Sequence, residues 1–557
     1  MRVTEQPFGA ATRRAQWSAL PGDAVDLLVI GGGITGAGIA RDAAMRGICT
    51  TLVDAGDFGW GTSSRSSRLI HGGLRYLEHG WLRLVFEASR ERRTLLRIAP
   101  HLVRPSRFLF PAHQGSRVKR WEISAGVLLY DLLALFRNVH GCRWLSRQGV
   151  LREEPRLRDK GLTGGAAYWD AQTDDARLVL ATIRSAHRHG ARCLSYVRVV
   201  SLDKAEGRLR GALLEDAFTG ERKALHARVV VNATGPWSDA LRRLDEPGAE
   251  PMLRPTKGAH IAIPQQRIGN HGAVTLLSPI DGRVMFVLPW GDVTVIGTTD
   301  TDEPAPPADV AANAQDVLYL IRSANAIYPD ARLGTGDVIA AWAGLRPLLR
   351  ADGEDPGNVP REHRIIESTS GLVTIAGGKL TTYRSMAEEL VNVVAERLQQ
   401  LDGRALPPRA PTDTEPLPGG EVHDLVALTE QMTLEGVPAA LATHLVDQYG
   451  AEAPGVASIM KADHALAAPL VAGGPWIAAE VVYQARREMA LTVSDVLVRR
   501  THAFHRRAGQ AIGAAAEVGR LLAGELGWDA ARTEQSVRAY REEVERMRRS
   551  FAAPEPA

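Results

Sequence analysis

The chain has 557 residues, which is too long for a single compact core, so its length predicts two or three domains. Hydrophobic residues make up 45% of the chain and charged residues 24%, as in an ordinary globular protein. The formal net charge of +3 is too small to indicate a nucleic-acid-binding protein, and no run of about 18 apolar residues predicts a transmembrane helix.

Residues 1–22 lack the apolar stretch of a secretory signal and are predicted to form a flexible tail. Cys49, Cys142 and Cys193 are odd in number and lack the spacing of a metal site or a CxxC motif. The sequence therefore predicts free thiols in a reducing cytosol and no metal site.

Residues 25–54 read as a buried strand, a glycine-rich turn, a helix and a second strand that ends in a carboxylate. Gly31 permits the tight turn, and Gly33 lets the backbone approach a pyrophosphate. Gly36 lets the helix and the strand pack closely. These features in this order are typical of a dinucleotide-binding unit.

Ile34 and Thr35 stand at the start of the predicted helix, where unpaired N–H groups and the helix dipole favour an anion such as a pyrophosphate. Asp54 follows Gly31 by 23 residues and is placed to accept hydrogen bonds from a ribose 2′-OH. A carboxylate in this position would repel a 2′-phosphate.

The next segment, residues 55–76, offers many hydrogen-bond donors to an anionic, polar ligand. A solvated serine-rich loop would explain the serines alone. It would not explain a loop that begins where a dinucleotide ends and finishes with His71, Arg75 and Tyr76. The residues of this segment expected to contact the cofactor are Thr62, Ser63, Ser64, Ser67, Leu69, His71, Gly72 and Gly73.

Two later segments also run from a predicted strand into a glycine turn, as expected for strands that meet a cofactor crevice at their carboxyl ends. They are residues 227–238 and residues 371–384, and the second leads into a helix that begins near Lys379. An ammonium group at a helix N-terminus stabilises an anion. The expected cofactor contacts are Gly235, Trp237, Gly377, Gly378, Lys379, Leu380 and Thr381, together with Val199.

The pattern along the chain predicts its domain organisation. From residue 23 to about residue 400, short strands alternate with helical stretches, which predicts an α/β domain with a second sheet interleaved. Residues 401–420 contain five prolines and three glycines and are predicted to be a linker. Residues 421–548 are predicted to form a separate helical domain, followed by a disordered tail at 549–557.

Nine ordered motifs resemble those of the FAD-dependent (aerobic, quinone-linked) sn-glycerol-3-phosphate dehydrogenase family. They stand at residues 31–40, 62–67, 69–79, 169–178, 231–237, 257–261, 296–300, 344–347 and 377–384. Residues 487–501 resemble the family's helical cap domain. Asp54 stands where this family often has Glu, and Ala259 stands where Ser is common, but neither change removes the chemistry.

The resemblance implies an α/β fold in which a glutathione-reductase-like, Rossmann-type FAD-binding domain is interleaved with an antiparallel-sheet substrate domain. It also implies an all-helical C-terminal cap domain. The cofactor would be FAD, and the reaction would oxidise sn-glycerol 3-phosphate at C2 to dihydroxyacetone phosphate by hydride transfer to the flavin. Lys379 would polarise the N1–O2 edge of the flavin and favour its reduced, anionic form, with assistance in proton removal as an alternative role.

Residue chemistry suggests roles for the other candidates. Arg346 is the first candidate for binding the phosphate, because a guanidinium holds a phosphate dianion in a bidentate fork. Arg75 and Tyr76 are the second. His260 is the candidate base because imidazole titrates near neutrality, and His71 is its competitor.

The chain has no second glycine-rich unit of the kind that binds NAD, so the electrons are expected to pass to a membrane quinone or to O₂. Residues 117–137 combine a basic start with an apolar run, which suits an anionic membrane surface, although an ordinary core helix explains the pattern equally well. We expect a cytoplasmic protein bound peripherally to the inner face of the cytoplasmic membrane, with quinone as acceptor. A homodimer is compatible with this expectation.

Three alternative functions compete with the dehydrogenase. They are a glycerol-3-phosphate oxidase that uses O₂, an amine or amino-acid oxidase of the same fold, and a non-enzymatic flavin-bearing sensor or scaffold. The last two are disfavoured by the cationic and titratable residues near glycine turns, namely Arg75, Lys257, His260, Arg346 and Lys379. The choice between quinone and O₂ stays open at this point.

Overall fold

In this computed structural model the described residues are 7–20, 24–73, 81–116, 120–133, 140–350 and 362–552. Their strands are β1 (Val25–Ile30), β2 (Thr50–Val53), β3 (Leu69–Ile70), β4 (Val103–His113), β5 (Arg143–Ser146), β6 (Leu162–Thr173), β7 (Arg192–Leu194), β8 (Val197–Ala205), β9 (Arg208–Asp216), β10 (Arg222–Asn232), β11 (Leu253–Pro264), β12 (Ala273–Leu277), β13 (Val284–Trp290), β14 (Val293–Gly297), β15 (Thr301–Asp302), β16 (Ala340–Leu349), β17 (His363–Glu367) and β18 (Leu372–Gly377).

The helices of the same residues are α1 (Ala10–Ser18), α2 (Ile34–Met45), α3 (Leu82–Ile98), α4 (Arg120–Leu133), α5 (Arg147–Glu153), α6 (Asp175–Arg188), α7 (Ser238–Asp245), α8 (Gln265–Ile268), α9 (Ala314–Ile327), α10 (Tyr383–Asp402), α11 (Leu425–Leu434), α12 (Ala439–Tyr449), α13 (Ala453–Ala462), α14 (Ala478–Arg487), α15 (Ala503–Arg506), α16 (Ala515–Leu526) and α17 (Ala530–Phe551). A π-helical turn, Asp495–Arg500, lies between α14 and α15.

The first sheet has the strand order β17-β18-β10-β1-β2-β7, and the β8–β9 hairpin is attached to β10. The five strands β18, β10, β1, β2 and β7 run parallel. β1 is buried along its whole length, as its nearly continuous apolar sequence predicts for a parallel strand covered on both faces. Helices α2, α6 and α10 cover one face, and the hairpin with α1 and α7 covers the other.

The second sheet has the strand order β15-β11-β14-β13-β12-β4-β6-β3, with β16 paired to β11 and β5 paired to β6. Neighbouring strands run antiparallel except β4 and β12, which run parallel. Helices α5, α8 and α9 pack on one face and α3 with α4 on the other. The predicted fold class, a dinucleotide-binding α/β domain interleaved with a largely antiparallel sheet, is confirmed.

Helices α11–α17 form the cap, a helical unit with its own apolar cores, one of which surrounds the fully buried Trp476. The predicted helical C-terminal domain is therefore present. The predicted boundary of the disordered tail is wrong, because α17 continues to Phe551. Residues 553–557, the rest of that predicted tail, lie outside the described residues.

The predicted flexible N-terminal tail is also wrong for residues 7–20. This segment contains α1, and it buries the rings of Phe8 and Trp17 against the rest of the molecule. Arg13 Nη1 lies 2.7 Å from a carboxylate oxygen of Asp216 on β9. Burial of two aromatic rings and an ion pair offsets the entropy lost on ordering the segment.

Residues 403–420, within the predicted linker, form neither helix nor strand, but they are packed against the α/β domain. Leu417 is fully buried. The guanidinium of Arg41 on α2 donates hydrogen bonds to the carbonyl oxygens of Thr412, at 2.9 Å, and Glu415, at 2.8 Å. This segment is therefore fixed to the domain and is not a free spacer.

Two further expectations concern membranes and thiols. Across the described ranges, each helix is either too short or too polar to span a bilayer. Cys49 is exposed, Cys142 is partly exposed and Cys193 is buried, and all three are free thiols.

Candidate active site

A deep crevice of about 610 Å³ opens at the carboxyl edge of the parallel sheet. Its walls come from the segments that follow β1, β2, β10 and β18, which end side by side because the strands are parallel neighbours. In open α/β sheets this edge is where a nucleotide binds. We call this cavity the crevice.

The three motif glycines of the first turn have different surroundings. Gly31 has a φ of +111°, and an added Cβ would lie 2.6 Å from the carbonyl oxygen of Ala233. At Gly36 a Cβ would lie 1.9 Å from the carbonyl oxygen of Gly31, so this glycine permits close packing of α2 on the strand. A Cβ at Gly33 would meet only Ser63 Oγ within 4 Å, at 3.2 Å, and Gly33 lines the crevice.

The N-terminal end of α2 fits an anionic group. Gly33 is the N-cap, no side-chain cap bond is present, and the first turn carries no acidic residue. The amide of Ile34 donates to Ser63 Oγ at 3.0 Å, and Thr35 lines the crevice beside it. A bare, positive helix end facing a cavity, with a glycine whose missing Cβ leaves room, suits the pyrophosphate of a dinucleotide.

Asp54 lies at the end of β2 in the crevice wall. One carboxylate oxygen accepts from the amide of Gly32 at 2.6 Å, and the other accepts from the amide of Gly56 at 2.8 Å and from Trp60 Nε1 at 2.7 Å. Burial raises the pKa of this carboxyl group to about 6, against the hydrogen bonds that favour its charged form. The carboxylate is thus held rigidly where the ribose was predicted.

Most of the residues predicted to contact the cofactor line the crevice. They are Gly31, Gly33, Ile34, Thr35, Asp54, Thr62, Ser63, Ser67, Leu69, His71, Val199, Gly235, Trp237, Gly377, Gly378, Lys379, Leu380 and Thr381.

Four predicted residues do not line the crevice. Gly36 packs against the strand, as described above, and Ser64 is buried within a short 3₁₀ turn. The amide of Gly72 donates to the hydroxyl of Tyr130 at 2.7 Å, and Gly73 lines a smaller neighbouring cavity. These residues support the walls and are not placed to touch a ligand in the crevice.

The smaller cavity has a volume of about 180 Å³, and its walls come mostly from strands of the second sheet. It shares Ser67, Leu69, His71 and Arg346 with the crevice, so the two cavities adjoin. Its remaining wall residues are Gly73, Phe108, Phe110, Tyr168, Asp170, Thr275, Arg283, Val284, Phe286, Thr298, Thr299 and Asp300. Such a space, which combines charged and hydroxyl side chains with aromatic rings next to a nucleotide crevice, suits a small polar substrate.

Arg346 projects from β16 into both cavities. Its guanidinium donates to Asp300 Oδ1 and to Thr298 Oγ1, each at 3.0 Å, which fixes its orientation. Arg283 donates from Nη1 to the carbonyl oxygen of Asp300 at 2.9 Å. Two guanidinium groups therefore flank Asp300 in the cavity wall, an arrangement that can bind a dianion.

His260 lies on β11, where alternate residues face the crevice. Gly258 and His260 line it, whereas Lys257 faces the other way. Lys257 Nζ lies 3.0 Å from Asp316 and 3.4 Å from Glu303, and the side chain is buried. The expectation that Lys257 is one of the site cations is therefore wrong, because the period of a strand puts neighbouring residues on opposite faces.

The imidazole of His260 is fully enclosed. Its Nε2 lies 2.8 Å from Ser67 Oγ, and its ring stacks on Trp342 with centroids 5.5 Å apart. Its Nδ1 has no hydrogen-bond partner within the described residues. Burial, and then the charges of Arg346 and Arg68, lower the pKa of His260 to about 3, so the ring is neutral.

A hydrogen bond joins the two segments that carry His71 and Lys379. The amide of His71 donates to Thr381 Oγ1 at 3.1 Å, which joins the segment after β3 to the segment after β18. Lys379 is the N-cap residue of the short turn that leads into α10, and it lines the crevice. Arg75 and Tyr76, the second candidates for the phosphate, lie outside the described residues.

Several site residues were not predicted from the sequence. Trp60 lines the crevice and packs against Trp237 with ring centroids 4.9 Å apart. Asp170, Arg283 and Asp300 line the smaller cavity. Asp170 and Asp300 stand in two of the motifs noted above, at 169–178 and 296–300, so those motifs carried a usable signal, whereas Arg283 stands in none of them.

Comparison with known families identifies both halves of the chain. Residues 26–384 match the family described as FAD dependent oxidoreductase. Residues 410–533 match the C-terminal domain of alpha-glycerophosphate oxidase.

Similar proteins cover nearly the whole chain. Glycerol-3-phosphate dehydrogenase 2 of Mycobacterium tuberculosis is 37% identical over 557 residues, which cover 98% of this chain and 93% of that protein. The aerobic glycerol-3-phosphate dehydrogenase of Bacillus subtilis is 38% identical over 485 residues, which cover 86% of each chain.

Solved structures agree with these relatives. The glycerol-3-phosphate dehydrogenase of Bacillus halodurans, complexed with FAD, is 31% identical and superimposes with a TM-score of 0.81 over 98% of this chain and 100% of that chain. Glycine oxidase from Geobacillus kaustophilus, 20% identical with a TM-score of 0.52 over 67% of this chain and 95% of that chain, shares the fold alone. The predicted family is confirmed: the chain belongs to the glycerol-3-phosphate dehydrogenase family of FAD-dependent oxidoreductases.

Proposed function

We propose that this protein oxidises sn-glycerol 3-phosphate at C2 to dihydroxyacetone phosphate, with FAD as its resident cofactor. The observation that carries the proposal is the junction of the two cavities. There, Arg346 lines both cavities, and the neutral His260 lines the crevice beside Ser67, which also lines both. FAD, when bound, supplies the acceptor for the hydride that leaves C2.

The first turn and the N-terminus of α2 would hold the pyrophosphate. Gly33 leaves the space, and the helix end supplies the positive field. Asp54 would accept a hydrogen bond from the ribose. Ser67 lines both cavities and Lys379 lines the crevice, and the segments that include them would hold the flavin end.

Arg346 and Arg283 would bind the phosphate of the substrate. Both guanidinium groups are positioned by Asp300, so little conformational entropy is lost when they meet a dianion. A carboxylate substrate of an amino-acid oxidase would need only one of these cations. The pair favours a phosphate over the amine and amino-acid oxidase alternatives.

His260 would take the proton of the C2 hydroxyl. Since burial keeps the ring neutral, a lone pair is available throughout the physiological pH range. Ser67 orients the ring through Nε2. A phosphate dianion beside Arg346 would offset one of the charges that lower the pKa of His260, which makes the base stronger in the complex. His71, in the wall of both cavities, is the alternative base.

The product test of this proposal is direct. Purified protein is incubated with sn-glycerol 3-phosphate and a soluble quinone analogue, and dihydroxyacetone phosphate is measured against reduced quinone. We expect one molecule of each per turnover. No product from glycerol 3-phosphate, with turnover of glycine or D-alanine instead, would identify an amino-acid oxidase.

We further propose that the electrons pass to a membrane quinone and that the protein binds peripherally to the inner face of the cytoplasmic membrane. An apolar patch on α3, α4 and β5 supports this. Its residues, each 36% to 53% exposed, are Leu82, Phe86, Leu128, Leu129, Leu132 and Trp144. Large exposed apolar groups on neighbouring elements indicate an interaction surface.

The patch lies behind the smaller cavity. On α4, Leu128 and Leu132 are exposed, whereas Tyr130 is buried and its hydroxyl donates to Asp170 at 2.7 Å in the cavity wall. The stretch predicted at 117–137 thus contains both a core face and an exposed apolar face. Residues 117–119 and 134–137 of that stretch lie outside the described residues.

Membrane binding is tested with the double variant Leu128→Ser, Leu132→Ser. We expect the parent protein to sediment with anionic vesicles at low salt and the variant to stay in the supernatant, with reduction of its flavin unchanged. Leu434→Ser on α11, whose side chain is also exposed, is the matched control. If the patch variant sediments like the parent, and if O₂ yields stoichiometric hydrogen peroxide, the oxidase alternative is correct.

A further inference from the structure

The loop that follows β2, residues 54–61, forms one wall of the crevice through Asp54, Ala55, Gly59, Trp60 and Gly61. The amide of Gly59 donates to the carbonyl oxygen of Gly32 at 2.9 Å, which ties the loop to the glycine turn. The position of this loop therefore decides the width of the crevice beside Asp54.

Asp57 lies in this loop but does not line the crevice. Its side chain is completely buried and points to the cap. One carboxylate oxygen accepts from Arg499 Nε at 2.5 Å and also from Arg500 Nη1, and the other accepts from Arg500 Nη2 at 2.9 Å. Burial opposes the charge of Asp57, but Arg500 and Arg499 outweigh it and hold its pKa below the usual value.

The two arginines are presented by the π-helical turn Asp495–Arg500. Asp495 accepts from Arg499 Nη2 at 2.6 Å and from the hydroxyl of Tyr196 at 2.5 Å, and Arg500 Nη2 donates to the carbonyl oxygen of Glu488 at 2.8 Å. Both guanidinium groups are therefore fixed from the cap side. Turns of this kind occur often at functional sites.

The cap also contacts the segment around Ser67 and Arg68, which forms a second wall of the crevice. His502 Nδ1 lies 3.1 Å from Arg68 Nη2, and His502 Nε2 lies 2.8 Å from Asp174. Arg68 directly follows Ser67, which lines both cavities and contacts His260. The cap thus holds two separate walls of the crevice. Arg499, Arg500 and His502, which make these contacts, do not themselves line it.

We infer that the helical cap is part of the cofactor site and that Arg499 and Arg500 are positioning residues for FAD. They hold Asp57 so that the 54–61 loop keeps the crevice in the shape that binds the dinucleotide. The inference rests on the proposed function in one respect, that the resident cofactor is FAD.

A matched control exists in another buried ion pair between the α/β domain and the cap. Arg184 on α6 donates from Nη1 and Nη2 to the carboxylate of Glu452, at 2.7 and 2.8 Å, and both side chains are buried. Arg184 does not line the crevice and does not contact the 54–61 loop. Its loss should destabilise the interface as much as loss of Arg499 does, without changing the crevice.

The test compares Arg499→Gln with Arg184→Gln. Apoprotein is prepared from each, its thermal midpoint is recorded, and FAD is titrated by the change in flavin fluorescence at a temperature where both are folded. We expect both variants to lose thermal stability, but only Arg499→Gln to weaken FAD binding, by at least tenfold. Equal dissociation constants for FAD in the two variants would overturn the inference.

Two further outcomes of the FAD titration have to be distinguished. If Arg499→Gln yields no folded apoprotein, Arg499→Lys is titrated instead, because lysine keeps the charge and loses the forked geometry. Unchanged FAD affinity in that variant would overturn the inference in the same way. If the parent protein does not bind FAD, the proposed function fails and the inference falls with it, whereas equal FAD affinity in the two variants of an FAD-binding parent overturns the inference alone.

Discussion

The crevice and the smaller cavity adjoin, yet different parts of the chain form their walls. The crevice is shaped by the backbone: glycine turns, a helix end and the ends of parallel strands. The smaller cavity is lined by side chains from distant strands, among them Asp170 on β6, Arg283 before β13 and Arg346 on β16. In the proposed function, a cofactor shared by many enzymes would be held by backbone geometry, whereas the substrate would be selected by side chains that the sheet register brings together.

Gly33→Val should have the largest effect, because it fills the crevice from the backbone. Among the described residues the Cβ would meet only Ser63 Oγ within 4 Å, at 3.2 Å, so the fold should tolerate the change. FAD binding should be abolished, measured as loss of yellow colour and of bound flavin in the purified protein.

Gly524→Ala is the control, since an added Cβ at this position on α16 meets nothing within 4 Å. This variant should retain one FAD per chain. Stoichiometric FAD in Gly33→Val would show that the first turn does not hold the dinucleotide.

Lys379→Met tests the wall of the crevice that follows β18. An ammonium that stabilises charge developing on the flavin acts in the transition state more than in the ground state. We expect flavin reduction to slow by about a hundredfold, with a much smaller change in substrate affinity. Stopped-flow reduction at a series of substrate concentrations separates the two quantities, and an unchanged limiting rate would contradict this role.

Arg346→Ala tests the smaller cavity and should leave the crevice intact. Loss of a charge-assisted contact to phosphate should cost about 1.5–3 kcal/mol, which raises KM roughly 10- to 150-fold. The absorption spectrum of bound FAD should not change. Normal KM in this variant would place the phosphate elsewhere, with Arg75 as the next candidate.

Because His260 is neutral in the folded protein, the free energy of unfolding should depend on pH. Its folded-state pKa of about 3 lies below the ordinary 6.5, so below pH 6.5 the unfolded chain binds a proton that the folded chain does not. Stability is lost as the pH falls, by about 2 kcal/mol at pH 5 for this one group. The free energy of unfolding, measured by denaturation at pH 8 and at pH 5, should therefore differ by that much less in His260→Asn than in the parent protein. Identical pH dependence in both proteins would show that His260 titrates normally.

The crevice could be predicted from the sequence because its parts are local. Gly31, Gly33 and Asp54 belong to one unit, and their spacing reflects one strand, one turn and one helix. The fold class followed from the same pattern. Lys379 could be placed because it too directly follows a strand and a glycine turn.

The other features of the site and the fold depend on contacts that the spacing of residues in the sequence does not reveal. Lys257 and His260 stand three residues apart, so they face opposite sides of β11, and the sequence argument did not use this. Arg283 reaches the site only through the pairing of β12, β13 and β14. Residues 7–20 are ordered because Phe8 and Trp17 pack into apolar cores that other parts of the chain form.

The central claim is that the smaller cavity presents a phosphate-bearing alcohol to the FAD in the crevice. The most direct measurement is anaerobic reduction of the bound flavin, followed by its absorbance, with glycerol 3-phosphate, glycerol, glycine and D-alanine. The account predicts rapid, saturable bleaching by glycerol 3-phosphate and none on that timescale by the other three. Bleaching by glycine or D-alanine, or equal bleaching by glycerol and glycerol 3-phosphate, would contradict it.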